Sequence, residues 1–174
     1  MPAIHPLLSK KLLPEPELQK LVKKWQADGL TVGFTNGVFD LLHPGHVNYL
    51  QDAASMVDHL ILGLNSDASV RMLGKGPDRP INNEFSRAVV LAGLSSISAV
   101  CIFNEDTPLS LIEKISPDLL FKGGDYDPSV SDPNDKRYIV GSDEVKKKGG
   151  KVVSIPLVDG FSTTGTLKKI QDGN

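Results

Sequence analysis

Thr35-Asn36-Gly37-Val38-Phe39-Asp40-Leu41-Leu42-His43-Pro44-Gly45-His46 joins a run of strand character to the start of a helix. Residues 30–35 read as a strand and residues 44–56 as a helix. Gly37 permits a turn with positive φ and a close backbone approach to a ligand. Pro44 suits the first helical position, and Gly45 leaves room above it. His43 and His46 are three apart at a helix start, so their imidazoles can share one side of the first turn. Free backbone N–H groups and the positive end of the helix dipole point to the same place. The assembly reads as a phosphate cradle carrying two imidazole donors. An isolated pair of this kind is more often a helix cap packed against its neighbours. Its place at a strand-to-helix switch, in a chain with only four histidines, reverses that preference. A zinc site lacks a third His or Cys at suitable spacing, so no metal ligand is assigned.

Outward from this stretch the chain alternates. Helices are expected at 15–27, 67–73, 84–94, 108–115, 139–148 and from 162 onward, and strands at 60–64, 100–103, 119–121 and 151–155. In the helix at 84–94, Phe85, Val89, Leu91, Ala92 and Leu94 supply the apolar side. Residues 1–13 look like a loose lead-in. The strands are short and nearly all apolar, as in a parallel sheet buried on both faces. The expected fold is α/β: a single-domain, Rossmann-like, doubly wound parallel five-stranded sheet with helices on both faces. Residues 1–29 form a lead-in and a helix packed on the domain, and residues 30–174 the domain itself. Ligands of such sheets bind beyond the carboxyl ends of the strands, so the residues after each strand carry the interest.

The chain has 174 residues, enough for one domain with a real core. A formal charge of -2 gives no basic excess that would argue for nucleic acid. Any phosphate site must come from local arrangement. Cys101 is the only cysteine, which excludes an internal disulfide and a thiolate metal cluster. No stretch is long enough to span a bilayer, so no membrane partner is expected and the cytoplasm is the default location.

Several other segments fall at the same sheet edge. Ser162, Thr163 and Thr164 follow Gly160 and open the last helix, where hydroxyls and N–H groups can meet phosphate. By itself that segment is a good N-cap. Lys122-Gly123-Gly124-Asp125 follows the fourth strand, and its glycines let the backbone press against a nucleotide. Asp125 could accept from ribose hydroxyls or help to place a metal. Lys75 and Arg79 lie in the loop Gly74-Lys75-Gly76-Pro77-Asp78-Arg79-Pro80, a strap with two cations, and Arg87 stands on the following helix.

The stretch from Asn36 to His46 resembles the His-x-Gly-His signature of the cytidylyltransferase-like nucleotidyltransferases. Leu64-Asn65-Ser66-Asp67, Arg79-Pro80-Ile81-Asn82, Asp106-Thr107-Pro108, the run from Pro117 to Tyr126, and Asp159-Gly160-Phe161-Ser162-Thr163-Thr164 narrow the match. Together these blocks are similar to the heptose 1-phosphate adenylyltransferases. The resemblance runs from about Leu18 to the end. It implies transfer of AMP from ATP to a sugar 1-phosphate, D-glycero-beta-D-manno-heptose 1-phosphate in that family, with release of pyrophosphate. An acceptor phosphate oxygen attacks the α-phosphorus in line, without a covalent enzyme intermediate. Mg²⁺ bridges phosphate oxygens, mostly through water.

The resemblance gives His43, His46 and Lys75 catalytic roles. It assigns ATP contacts to Thr35, Asn36, Gly37, Phe39, Asp40, Gly45, Asn65, Arg79, Arg87, Lys122, Gly123, Gly124, Asp125, Ser162, Thr163 and Thr164. By analogy it implies a homodimer and a separate heptose 7-phosphate kinase in the same pathway. The sequence departs from the family at Val38, commonly Cys, and at Phe85-Ser86 in place of Glu-Gln, which puts a supporting ion pair with Arg87 in question. Residues 129–136 look like an insertion, more in keeping with a surface excursion than with an acceptor contact. A glycerol-3-phosphate cytidylyltransferase, an FMN adenylyltransferase and a non-catalytic nucleotide-binding module are the alternatives. Asp159-Gly160-Phe161-Ser162 stands where cytidylyltransferases carry an Arg-Thr-Glu-Gly-Ile-Ser type of block. From the reference pKa of about 6.5, histidine titration near neutrality is expected.

Overall fold

Each of five strands is followed or preceded by a helix that folds back over the sheet. The computed structural model describes residues 4–74, 76, 78–158 and 160–173. In chain order the elements are α1 (Pro6–Ser9), α2 (Glu15–Ala27), β1 (Val32–Gly37), α3 (Pro44–Ala54), β2 (His59–Asn65), α4 (Asp67–Met72), α5 (Glu84–Ala92), β3 (Ala99–Phe103), α6 (Leu109–Ile115), β4 (Leu119–Gly123), α7 (Ser142–Lys147), β5 (Lys151–Ile155) and α8 (Thr163–Gln171). The strands are all parallel, in the order β3-β2-β1-β4-β5.

Alternation along the strands sends side chains to two apolar layers. On one face Leu18 and Val22 of α2, Leu111, Ile112 and Ile115 of α6, and Val145 of α7 pack on Val32, Phe34, Ile61 and Leu120. On the other, Tyr49, Leu50 and Ala53 of α3 and Ala88, Leu91 and Ala92 of α5 cover Leu60, Leu62, Leu64, Phe121 and Ile155. Leu50, Leu62 and Leu91 are fully buried, each stabilising the fold by about 1.5–3 kcal/mol. This is the doubly wound sheet expected from the alternation.

The order reverses between β1 and β4, so the switch point lies at their carboxyl ends. β1 pairs with β2 all along, from Val32↔His59 to Gly37↔Leu64. With β4 it registers at Gly33↔Leu119 and Phe34↔Leu120 alone, so the two strands part from Thr35 onward. The sequence stretch that ends in His46 begins at that parting.

Three details differ from the sequence reading. The described part of the expected lead-in, residues 4–13, is not loose: α1 is followed by a bridge between Leu12 and Val100. Leu13 N–H donates to the Val100 carbonyl at 3.0 Å, and Val100 N–H to the Lys11 carbonyl at 2.8 Å. β3 is an edge strand, and this segment satisfies part of its open ladder. The helix expected at 139–148 starts at Ser142, because Gly141 ahead of it takes φ +86°. On α5, Arg87 rather than Phe85 occupies the buried face, at 2% exposure. The 129–136 insertion turns on its own polar groups. Asp127, Asp132 and Asp135 accept from the backbone N–H groups of Ser129, Asn134 and Arg137, at 2.9, 2.9 and 2.8 Å.

Candidate functional site

His43 is the N-cap of α3 and His46 sits one turn in. Their rings stack with centroids 3.7 Å apart and an interplanar angle of 16°. The His46 amide reaches the His43 carbonyl at 2.9 Å and lies 3.3 Å from His43 Nδ1. With Nδ1 in that accepting position, a neutral His43 carries its proton on Nε2, which is left as a donor. Nδ1 of His46 is sealed off without an aligned hydrogen bond.

Burial lowers the His43 pKa from its ordinary value, with its own backbone carbonyl opposing. His46 is pushed down to about 4, first by burial and then by the nearby His43, with the Leu41 carbonyl opposing. Both rings are therefore neutral at pH 7. The titration near neutrality expected from the reference value is displaced downward for His46. Two stacked imidazoles can offer hydrogen bonds here but little positive charge.

Aromatic rings wall this pair. Phe39 leans on His46 with centroids 5.1 Å apart, and Phe161 lies parallel to His43 at 6.2 Å. Gly37 is small for a different reason from the one its sequence context suggested. The positive φ falls on Phe39, at +46°, and a Cβ on Gly37 would come within 2.8 Å of the Phe39 ring. Gly45 keeps its expected role: a Cβ there would lie 3.1 Å from His43 Nδ1 and 3.3 Å from the Phe161 Cβ. Phe161 was not singled out in the sequence. Its signal was a large aromatic in an exposed Gly-Phe-Ser turn.

The last helix arrives at the same place. Thr163 Oγ1 donates to the Leu41 carbonyl at 3.5 Å, beside His43. Ser162 Oγ caps α8 by accepting from Gly165 N–H at 2.9 Å. Across the parting of the sheet, Lys122 Nζ donates to Asn36 Oδ1 at 2.6 Å and lies 5.3 Å from the centre of the Tyr126 ring. Gly123 is crowded: a Cβ would meet Leu157 at 3.0 Å and Asp125 Oδ1 at 3.1 Å. Gly124 and Asp125 are exposed at this edge.

Other candidates are occupied by protein. Thr35 is fully buried, its hydroxyl 2.8 Å from the Tyr49 hydroxyl. Asn65 Nδ2 donates to Ser69 Oγ at 2.9 Å. Asp40 is 4% exposed and accepts from Ile81 N–H at 2.9 and 3.0 Å and from Asn82 N–H at 2.9 Å. Arg79 Nε stands 2.8 Å from Asp40 Oδ2.

Four of the five N–H directions of Arg87 end on protein: Asn82, Val38 and Asn65 carbonyls at 2.9, 2.7 and 2.9 Å, and Asp67 Oδ1 at 2.8 Å. The ion pair that Phe85-Ser86 put in question is thus supplied by Asp67, which Glu84 in turn fixes through the Asp67 N–H at 2.7 Å. Lys75 lies outside the described residues. Among those described, no group of three His, Cys, Asp or Glu side chains could hold a metal ion. No helix among them is long and apolar enough to cross a membrane.

A family model described as cytidylyltransferase-like matches residues 34–166. The "Bifunctional protein HldE" of Mesorhizobium japonicum is 52% identical over 94% of this chain, and that of Hyphomonas neptunium 48% identical over 93%. The chain spans about a third of the length of these relatives, 31% and 32%. Among solved structures, a lipopolysaccharide core biosynthesis protein from Thermoplasma volcanium is similar with a TM-score of 0.57 and 23% identity, covering 75% of this chain and 98% of that one. A pantoate-beta-alanine ligase from Francisella tularensis, complexed with beta-gamma ATP and beta-alanine, also scores 0.57 at 11% identity, covering 88% and 69%. Both show the fold alone.

Proposed function

The chain belongs to the cytidylyltransferase-like family of nucleotidyltransferases, and on that premise we propose that it transfers AMP from ATP to a sugar 1-phosphate. The acceptor is D-glycero-beta-D-manno-heptose 1-phosphate, and the products are ADP-heptose and pyrophosphate. The observation that carries the reaction type is the stacked pair His43 and His46 at the mouth of α3, at the switch point of the sheet. The sugar rests on the family-like sequence blocks and on about 50% identity to the HldE proteins.

In this reading an acceptor phosphate oxygen attacks the α-phosphorus of ATP as the bond to the β-phosphate oxygen breaks. Pyrophosphate carries away the leaving charge. His43 donates from Nε2 to the polyphosphate, and His46 is held beside it by stacking and by Phe39. Such donors act by being fixed in place before charge develops. The neutral rings leave most of the triphosphate charge to be met by other groups, the α3 dipole, Arg79 and Lys122 among them. Mg²⁺ would supply positive charge to the phosphates, and Asp125, exposed at this sheet edge, would be the carboxylate that helps to hold it.

The test is pyrophosphate release from ATP or CTP with heptose 1-phosphate, other sugar 1-phosphates, glycerol 3-phosphate and FMN. Release with ATP and the heptose phosphate supports the reading. Release with CTP and glycerol 3-phosphate alone would move the chain to the cytidylyltransferase branch. Silence with every pair, while ATP still binds, would leave a nucleotide-binding module.

A further inference from the structure

We infer that Asp40 is a positioning residue that clamps residues 79–82 onto the histidine loop and so presents Arg79 to the phosphates. The inference rests on the transferase reading above. Three residues before His43, the Asp40 carboxylate is buried among protein donors. It accepts hydrogen bonds from the backbone N–H groups of Ile81 and Asn82 and forms an ion pair with the Arg79 guanidinium. Its own carbonyl accepts from Asn82 Nδ2 at 2.9 Å. The far side of the same turn is held by Arg87 through the Asn82 carbonyl, and Arg87 also grips the Val38 carbonyl of the histidine loop. Two buried charges thus tie one short segment to the loop that carries His43 and His46.

Arg79 meets Asp40 as an ion pair alone: its buried Nε stands 2.8 Å from Asp40 Oδ2 without an aligned hydrogen bond, and among the described residues its terminal nitrogens make no hydrogen bond. A guanidinium whose stem is pinned by a carboxylate and whose two outer nitrogens stay available is prepared for a bidentate phosphate contact. Fixing that fork in advance lowers the ordering cost when the anion arrives. Asp40 therefore acts through Arg79 and never touches ATP.

The experiment combines amide exchange with a mutant cycle on the full chain. In ligand-free protein, Asp40→Asn should raise hydrogen exchange at Ile81 and Asn82 by at least about tenfold, since each loses a bond to a charged acceptor. Arg79→Met should leave those two amides protected. In turnover, each single change should lower kcat/KM. The pair Asp40→Asn with Arg79→Met should fall no further than the worse single change, because both remove the same presented fork. Arg79→Lys should rescue little, having no fork to present.

Unchanged exchange at Ile81 and Asn82, or losses that multiply in the double variant, would overturn the clamp. If Asp40→Asn does not fold, Ile81→Pro removes the shared amide and leaves both charges, at a side chain 46% exposed. It must then show the loss in kcat/KM that Arg79→Met shows, and a normal rate would count against the clamp. Absence of turnover in the wild type would sink the transferase reading, and the exchange rates would then decide the clamp.

Discussion

Acidification should destabilise this protein through His46 in a way that a single substitution removes. The folded state holds the ring neutral, with its pKa moved from 6.5 to about 4. An unfolded chain takes up that proton near pH 6.5. Between pH 6.5 and about 4 the unfolded state therefore binds more protons than the folded one, and stability falls as pH falls. Above pH 6.5 the contribution is complete and flat. At about 1.4 kcal/mol per tenfold the full effect is roughly 3 kcal/mol, and the ring's partial exposure to water cuts it to about 1–2 kcal/mol. Urea unfolding of the wild type and of His46→Gln at pH 7 and pH 4.5 measures it. The wild type should lose about 1–2 kcal/mol more than the variant over that interval. Equal losses, or a smaller loss in the wild type, would mean that the stacked pair does not exclude the proton.

Gly37→Ala should lower stability by about 1–3 kcal/mol, read as a denaturation midpoint, because the new methyl would meet the Phe39 ring 2.8 Å away. Turnover should fall with it, since Phe39 also braces His46. Arg87→Met should cost about 3 kcal/mol or more by urea unfolding, for it strands three carbonyls and the Asp67 carboxylate together. A variant as stable as the wild type would show that the strut is dispensable. His46→Ala should cut kcat by roughly 100- to 1,000-fold with the circular dichroism of the folded chain retained. A near-normal rate would remove His46 from the phosphate site.

The helix at Glu15–Ala27 and the strand at Lys151–Ile155 came out at the bounds expected, because periodicity and Gly or Pro punctuation are local signals. The Leu12–Val100 bridge was not legible, since a lead-in has no period of its own and answers to an edge strand 88 residues away. His43 and His46 were legible as a pair because their meeting needs only one helical turn. Their neutrality was not, because it comes from burial under Phe39 and Phe161, and Phe161 is distant in the chain.

The carboxylate of Asp40 shows the same division from the other side. Its motif marked it as part of a site, yet its partners are Arg79, Ile81 and Asn82, about forty residues on. Spacing along the chain specified the doubly wound alternation and the paired imidazoles, since each depends on contacts within a few residues or on a repeating pattern; the strand order that sets the switch point, with β1 beside β4, was decided by folding. Which polar groups face a ligand and which hold the scaffold was settled by folding. A buried charge is stabilised by whatever donors the tertiary structure brings to it, and a local pattern carries no record of those.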